Sequence, residues 1–82
     1  GQLLFTRLDQ RLAGYLEDER IRTGSPVLST THEQIARNLG SAREVVSRTL
    51  KSFEKAGIVA LSRGTVTILD VKKLRGICRM RR

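Results

Sequence analysis

Two helix-start signals with almost nothing between them constrain this chain more than any other feature. Thr31-His32-Glu33-Gln34 and Ser41-Ala42-Arg43-Glu44 both read Ser/Thr-x-x-Glu/Gln. In this box a hydroxyl and a carboxylate or amide reciprocally satisfy the first free N–H groups of a helix. Thr30 with Glu33 fits the same pattern, so the first start stays open by one position. Ile35, Ala36 and Leu39 then recur at helical spacing until Gly40 stops the first helix, and the second runs to about Ala56 with Gly57 at its C′ position. Two capped helices joined through Gly40-Ser41 predict a helix-turn-helix over 31–56.

What flanks this motif predicts its scaffold. Leu4, Leu8, Leu12 and Leu16, with Phe5 and Tyr15 beside them, describe an amphipathic helix over 4–22 that ends before Thr23-Gly24-Ser25-Pro26. Val27-Leu28-Ser29 is a short β-prone stretch. After Gly57, Ile58–Leu61 and Thr65–Leu69 are β-prone runs joined through Ser62-Arg63-Gly64, which predicts a hairpin over 58–69. Asp70 can cap a last helix over 71–77, followed by a frayed basic end at Arg79, Arg81 and Arg82. The expected fold is therefore mainly α with a small β-hairpin wing (α+β): a winged helix-turn-helix with a three-helix core and a short C-terminal helix, in one domain over 1–82.

Several function classes are disfavoured. A domain of 82 residues buries only about 60% of its unfolded surface, too little to enclose a large active site. Cys78 is the only cysteine, so no internal disulfide or cysteine cluster can form within the chain, and it is expected to be a small packed residue. The apolar runs are too short for a membrane span and the first residues do not resemble a signal peptide, so a cytoplasmic, nucleoid-associated location is expected. His32, the only histidine, cannot define a metal site by itself and reads as an exposed polar residue. Neither a nucleophile triad nor a phosphate-binding glycine loop is evident, so the expectation is no catalysis and no cofactor in this domain.

The distribution of charge points to a polyanion. Residues 1–40 hold five basic and five acidic residues, whereas residues 41–82 hold eleven basic and three acidic ones, so the whole net charge of +8 lies in the second half. At about 100° per residue, the second motif helix turns Val46, Leu50 and Phe53 inward, flanked by Val45, Thr49 and Ala56. Arg43, Glu44, Ser47, Arg48 and Lys51 point outward. Arginine can bind guanine O6 and N7 bidentately, a carboxylate can accept from cytosine N4, and a hydroxyl serves several base edges. Arg43, Glu44, Ser47 and Arg48 are thus expected to contact bases in the major groove. Local helix chemistry accounts for two of them as well, since Glu44 closes the capping box and forms an i, i+4 pair with Arg48 worth only about 0.2 to 0.5 kcal/mol.

Thr31, Gln34, Ser41, Lys51 and Arg63 are the expected phosphate contacts: hydroxyl and amide groups at helix starts, a helix lysine and the hairpin tip. Lys55 adds sequence-independent charge. A rival reading is a winged-helix module that docks protein or RNA without reading bases. Binding to a membrane surface lacks a matching apolar face.

The run from Thr31 through Leu50, above all Arg43-Glu44-Val45-Val46-Ser47-Arg48 followed by Lys51, Phe53, Gly57 and the hairpin from Leu61 to Leu69, resembles the helix-turn-helix of the Crp/Fnr family of bacterial transcription regulators. The resemblance implies base reading by Arg43, Glu44 and Arg48, as in the cyclic-AMP receptor branch, and by Glu44, Ser47 and Arg48, as in the oxygen-responsive branch. It implies a partner in double-stranded DNA, a near-palindromic operator with G·C pairs, a homodimer in the full-length protein, and RNA polymerase as a further candidate partner. Family members are much longer and carry an N-terminal sensor barrel and a dimerisation helix, neither of which is expected here, so the effector is unknown and Leu3-Leu4-Phe5 would lie near a former hinge.

Overall fold

In the computed structural model, which describes residues 5–79, the order is α1 (Arg7–Thr23), β1 (Val27–Leu28), α2 (His32–Leu39), α3 (Arg43–Lys55), β2 (Val59–Ser62), β3 (Thr65–Ile68) and α4 (Val71–Arg79). Helix α1 starts later than the leucine spacing suggests. Thr6 is its N-cap, with extended backbone, and exchanges hydrogen bonds with Asp9 in a full capping box. Leu4 lies outside the described residues, as do Arg81 and Arg82 of the basic end. Helix α4 continues two residues beyond the expected Ile77, after a first turn closed by Lys73 N–H donating to Asp70 Oδ1.

The turn between α2 and α3 differs instructively from the sequence reading. Thr31 and Gln34 form the expected box, which settles the open start of α2. Ser41, however, does not cap α3. Gly40 takes the left-handed conformation (φ 66°), its N–H donates to Arg37 O, and Ser41 N–H donates to Ala36 O. This paired closure of α2 engages the Ser41 backbone, and the N-cap of α3 falls one residue later, at Ala42, which supplies no side-chain cap. Three residues, not two, separate the helices. Helix α3 ends as expected, with Gly57 left-handed and Ile58 N–H donating to Phe53 O.

The wing is larger than a hairpin. Strand β3 lies between β1 and β2 in a three-stranded antiparallel sheet, pairing Leu28 with Val66 and Val66 with Leu61 across one line. Val59, Val66 and Ile68 alternate inward with Leu28. Together with Leu12, Leu16, Ile35, Val46, Leu50, Phe53, Leu74 and Ile77 they form one continuous core beneath the sheet and among the helices. Cys78 packs against this core half-buried, as expected of a small packed residue.

One ion cluster ties the two ends of the fold together. Glu17 of α1, only 8% exposed, accepts from Arg20 Nε and Nη2 at 2.9 and 2.8 Å and from Arg75 Nε of α4 at 2.9 Å. The Arg20 hydrogen bonds, and after them Arg75, outweigh burial and lower the Glu17 carboxyl from 4.5 to about 2. A carboxyl depressed by folding stabilises the native state fully above its unfolded value and ceases to do so as pH falls through the folded one. Because Arg75 is half-exposed and screened by solvent, the cluster contributes about 2 kcal/mol. Denaturant unfolding of the parent should therefore lose about that much as pH falls from 4.5 through about 2. Glu17→Gln should show the loss at neutral pH and lack this acid dependence.

Candidate nucleic-acid interface

Helix α3 buries a narrow stripe, Val46, Leu50 and Phe53, with Ser47 and Thr49 half-buried beside it, and leaves most of its remaining circumference to solvent. Arg43, Glu44, Arg48 and Lys51 are exposed, as the spacing predicted, and so is Lys55. Two flanking residues expected to face inward do not. Val45 is 40% exposed and Ala56 is also exposed, because α2 and β2 cover only the central stripe of α3. Among the described residues no ion pair joins Glu44 to Arg48, so these two side chains are not consumed by each other.

The wing folds back toward the same helix. Ser62 pairs with Thr65, which leaves Arg63 and Gly64 as the hairpin tip, with Gly64 at φ 68° supplying the tight turn. The tip, the first turn of α2 and the flank of α3 enclose an open cleft lined by Thr31, His32, Arg43, Lys51 and Arg63 together with the carboxylates of Glu33 and Glu54. Three cationic side chains from two elements thus converge beside the capped start of α2, a setting that favours an anion.

The structure does not gather every expected contact there. Gln34 lies in a separate depression with Tyr15, Arg37 and Asn38, its side chain occupied by the box with Thr31. Ser41 is half-buried in the turn. Ser47 is half-buried too and is engaged by a residue the sequence reading placed in solvent: His32 Nδ1 lies 2.8 Å from Ser47 Oγ. Burial, followed by the charges of Arg43 and Lys51, lowers the imidazole pKa below its ordinary 6.5. His32 is therefore not simply exposed; its partner lies fifteen residues along the chain, beyond the reach of any local pattern.

The turn itself is held from behind. Arg11 of α1 donates from Nη2 to Leu39 O at 2.6 Å, the last residue of α2. Asn38 donates to Tyr15 Oη on the same helix. Scaffold and motif are hence joined by polar contacts at the C-terminal end of α2 as well as through the core. Among the described residues no group of three or more His, Cys, Asp or Glu side chains is arranged to hold a metal ion, and no helix is long and apolar enough to cross a membrane.

Comparison with known proteins places this geometry among regulators. The model of the Crp-like helix-turn-helix domain matches residues 10–77. The transcriptional regulator SdrP of Thermus thermophilus is 31% identical over 58 residues, covering 71% of this chain and 29% of the relative. A transcriptional regulator of the Crp/Fnr family from Eubacterium rectale superposes with a TM-score of 0.87 at 47% identity, over 90% of this chain and 34% of its own. The catabolite activator protein of Thermus thermophilus gives 0.80 at 32% identity, over 88% and 34%. The chain spans about a third of the length of these relatives.

Proposed function

The chain belongs to the Crp-like helix-turn-helix domain family, and on that premise we propose that it binds double-stranded DNA sequence-specifically, as the output domain of a bacterial Crp/Fnr-type transcription regulator. This family is a DNA-binding domain of regulators and not an enzyme class; we assign the domain no catalytic step and no cofactor. The observation that carries the reading is the open face of α3. Arg43, Glu44 and Arg48 stand exposed on its first two turns, free of partners among the described ion pairs, while Val46, Leu50 and Phe53 anchor its opposite side.

In this reading α3 enters the major groove. Arg43 and Arg48 offer bidentate donors to guanine, Glu44 accepts from cytosine N4, and Ser47 serves a neighbouring edge. A glutamate on a DNA-facing surface is disfavoured by phosphate repulsion unless it meets a base donor, which supports its role as a reader. Lys51, Arg63 and the start of α2 at Thr31 hold phosphates on either side. Gln34 and Ser41 are the weaker phosphate candidates, since one is bound in a cap and the other sits in the turn.

The full-length regulator would be a cytoplasmic homodimer that sets two copies of α3 about 34 Å apart on a near-palindromic operator, with RNA polymerase as a downstream partner. One domain alone binds weakly, because linkage of two modules supplies the effective concentration. Selection from randomised duplexes with two tethered copies tests the reading. A G·C-containing half-site should emerge, and Arg48→Ala should relax discrimination at one base pair by about 1 to 3 kcal/mol, with Glu44→Ala altering a different position. Lys55→Ala should weaken all sequences alike. Recovery of no motif, or equal losses on every sequence for all three variants, would overturn it.

A further inference from the structure

One side-chain hydrogen bond ties the proposed reading helix to its neighbour, and it has chemical consequences for what that helix can read. His32 is the first residue of α2 and Ser47 lies one turn into α3, both half-buried. A serine inside a helix commonly donates back to the carbonyl four residues earlier, as Thr49 does here to Val45 O. The hydroxyl of Ser47 instead has His32 Nδ1 as its partner, at 2.8 Å.

A hydroxyl carries one proton and two acceptor lone pairs, whereas an imidazole nitrogen is either a donor or an acceptor. When Nδ1 is bare, Ser47 must donate to it, and Oγ then offers only lone pairs to the groove. When the ring is an imidazolium, Nδ1–H donates to Oγ, and the hydroxyl proton is released to seek an acceptor. We propose that His32 is a positioning residue that sets the hydrogen-bonding polarity of Ser47, and through it which base Ser47 prefers. With His32 neutral and its proton on Nε2, Ser47 accepts from the exocyclic amine of cytosine or adenine; with protonated His32, it donates to guanine O6 or N7 or to thymine O4. The inference rests on the reading of Ser47 as a base contact given above.

The surroundings put this exchange within reach of solution conditions. The charged groups facing His32 are Glu33 of its own helix, Arg43, Lys51 and Glu54 of α3, and Arg63 of the wing. Burial, and after it Arg43 and Lys51, disfavours the imidazolium and lowers the ring's pKa below its ordinary 6.5, and in the neutral ring that carries its proton on Nε2 the Ser47 hydroxyl donates to Nδ1. Phosphates drawn to Lys51 and Arg63 set negative charge beside the ring, so the complex is expected to take up a proton more readily than the free domain. Glu17, lowered to about 2, stays ionised throughout this range, and the fold's ion cluster does not titrate alongside.

The test is equilibrium binding of the 82-residue chain, at fixed salt from about pH 5.5 to about pH 8, to duplexes that differ only at the base pair whose preference changes in Ser47→Ala. In the parent, the affinity ratio between the amine-presenting and the carbonyl-presenting base should shift about two- to tenfold toward the carbonyl as pH falls. His32→Gln, which keeps a hydrogen-bonding group but cannot titrate, should hold one ratio at every pH, and Ser47→Ala should lose the dependence. Thermal unfolding of each variant separates these shifts from loss of structure. A parent ratio that does not move with pH, or that moves equally in Ser47→Ala, overturns the role of His32 while leaving base reading intact. A Ser47→Ala variant with unchanged preference at every position overturns the reading of Ser47 as a base contact and this inference with it, and a parent with no preference overturns base reading by α3 altogether.

Discussion

Affinity of the domain for duplex DNA is expected to fall about a hundredfold as monovalent salt rises from about 50 to about 200 mM. The magnitude follows from the number of cations that α3 and the wing bring to one side. Arg43, Lys51 and Arg63 border a common cleft, and Lys55 continues the charge along the exposed face of α3. If these displace about four condensed counterions, the logarithm of the binding constant falls with a slope of about −3.6 against the logarithm of salt. Glu33 and Glu54, which line the same cleft, temper the local field but release no counterion from DNA. Fluorescence anisotropy with a labelled duplex measures the slope directly. A slope near zero would mean that the wing and α3 dock through apolar contact, and the interaction-module reading would then replace the DNA-binding one.

Leu50→Ala is expected to cost about 3 kcal/mol of stability, a substantial part of what a small domain has to lose. Leu50 is fully buried at the centre of the α3 stripe, between Val46 and Phe53. Truncation removes its transfer free energy and leaves a cavity where the motif helix meets the rest of the core, and the surrounding leucines can collapse only in part. The midpoint of thermal unfolding should drop by about 12 to 24 °C, read by circular dichroism. A drop of only a few degrees would show that α3 is held by its polar contacts, His32 to Ser47 among them, more than by burial. Any loss of DNA affinity should follow the unfolded fraction, since Leu50 touches no solvent.

What was legible in the sequence is what local chemistry decides. Thr31 with Gln34, Asp70 before α4, and Gly40, Gly57 and Gly64 at left-handed positions act over two to four residues, and each marks its boundary. The core stripe of α3 was legible because burial there repeats with the helical period. Ser41 misled because two local demands compete for the same short segment, and closing α2 prevails over capping α3. Val45 and Ala56 misled for another reason: a helical wheel gives direction, but how wide a stripe is covered depends on what packs against it. The contacts that shape the candidate site join distant positions. His32 meets Ser47 across fifteen residues and Glu17 meets Arg75 across fifty-eight, and neither pairing leaves a mark in either neighbourhood.

The central place of β3 in the sheet has a consequence for how the domain comes into being. Strand β1 precedes the helix-turn-helix, but its partner residues, Val66 and Thr67, follow it. A chain growing from its N-terminus therefore presents α1, α2 and α3 before the strand that closes the sheet over Leu28 and Val59 exists. Pairing over such a separation carries a loop-closure cost that is recovered only when the last third of the chain arrives. The motif that is most recognisable in the sequence therefore emerges before the core it packs into is complete, since Val66 and Ile68 of β3 and Leu74 and Ile77 of α4 all follow it.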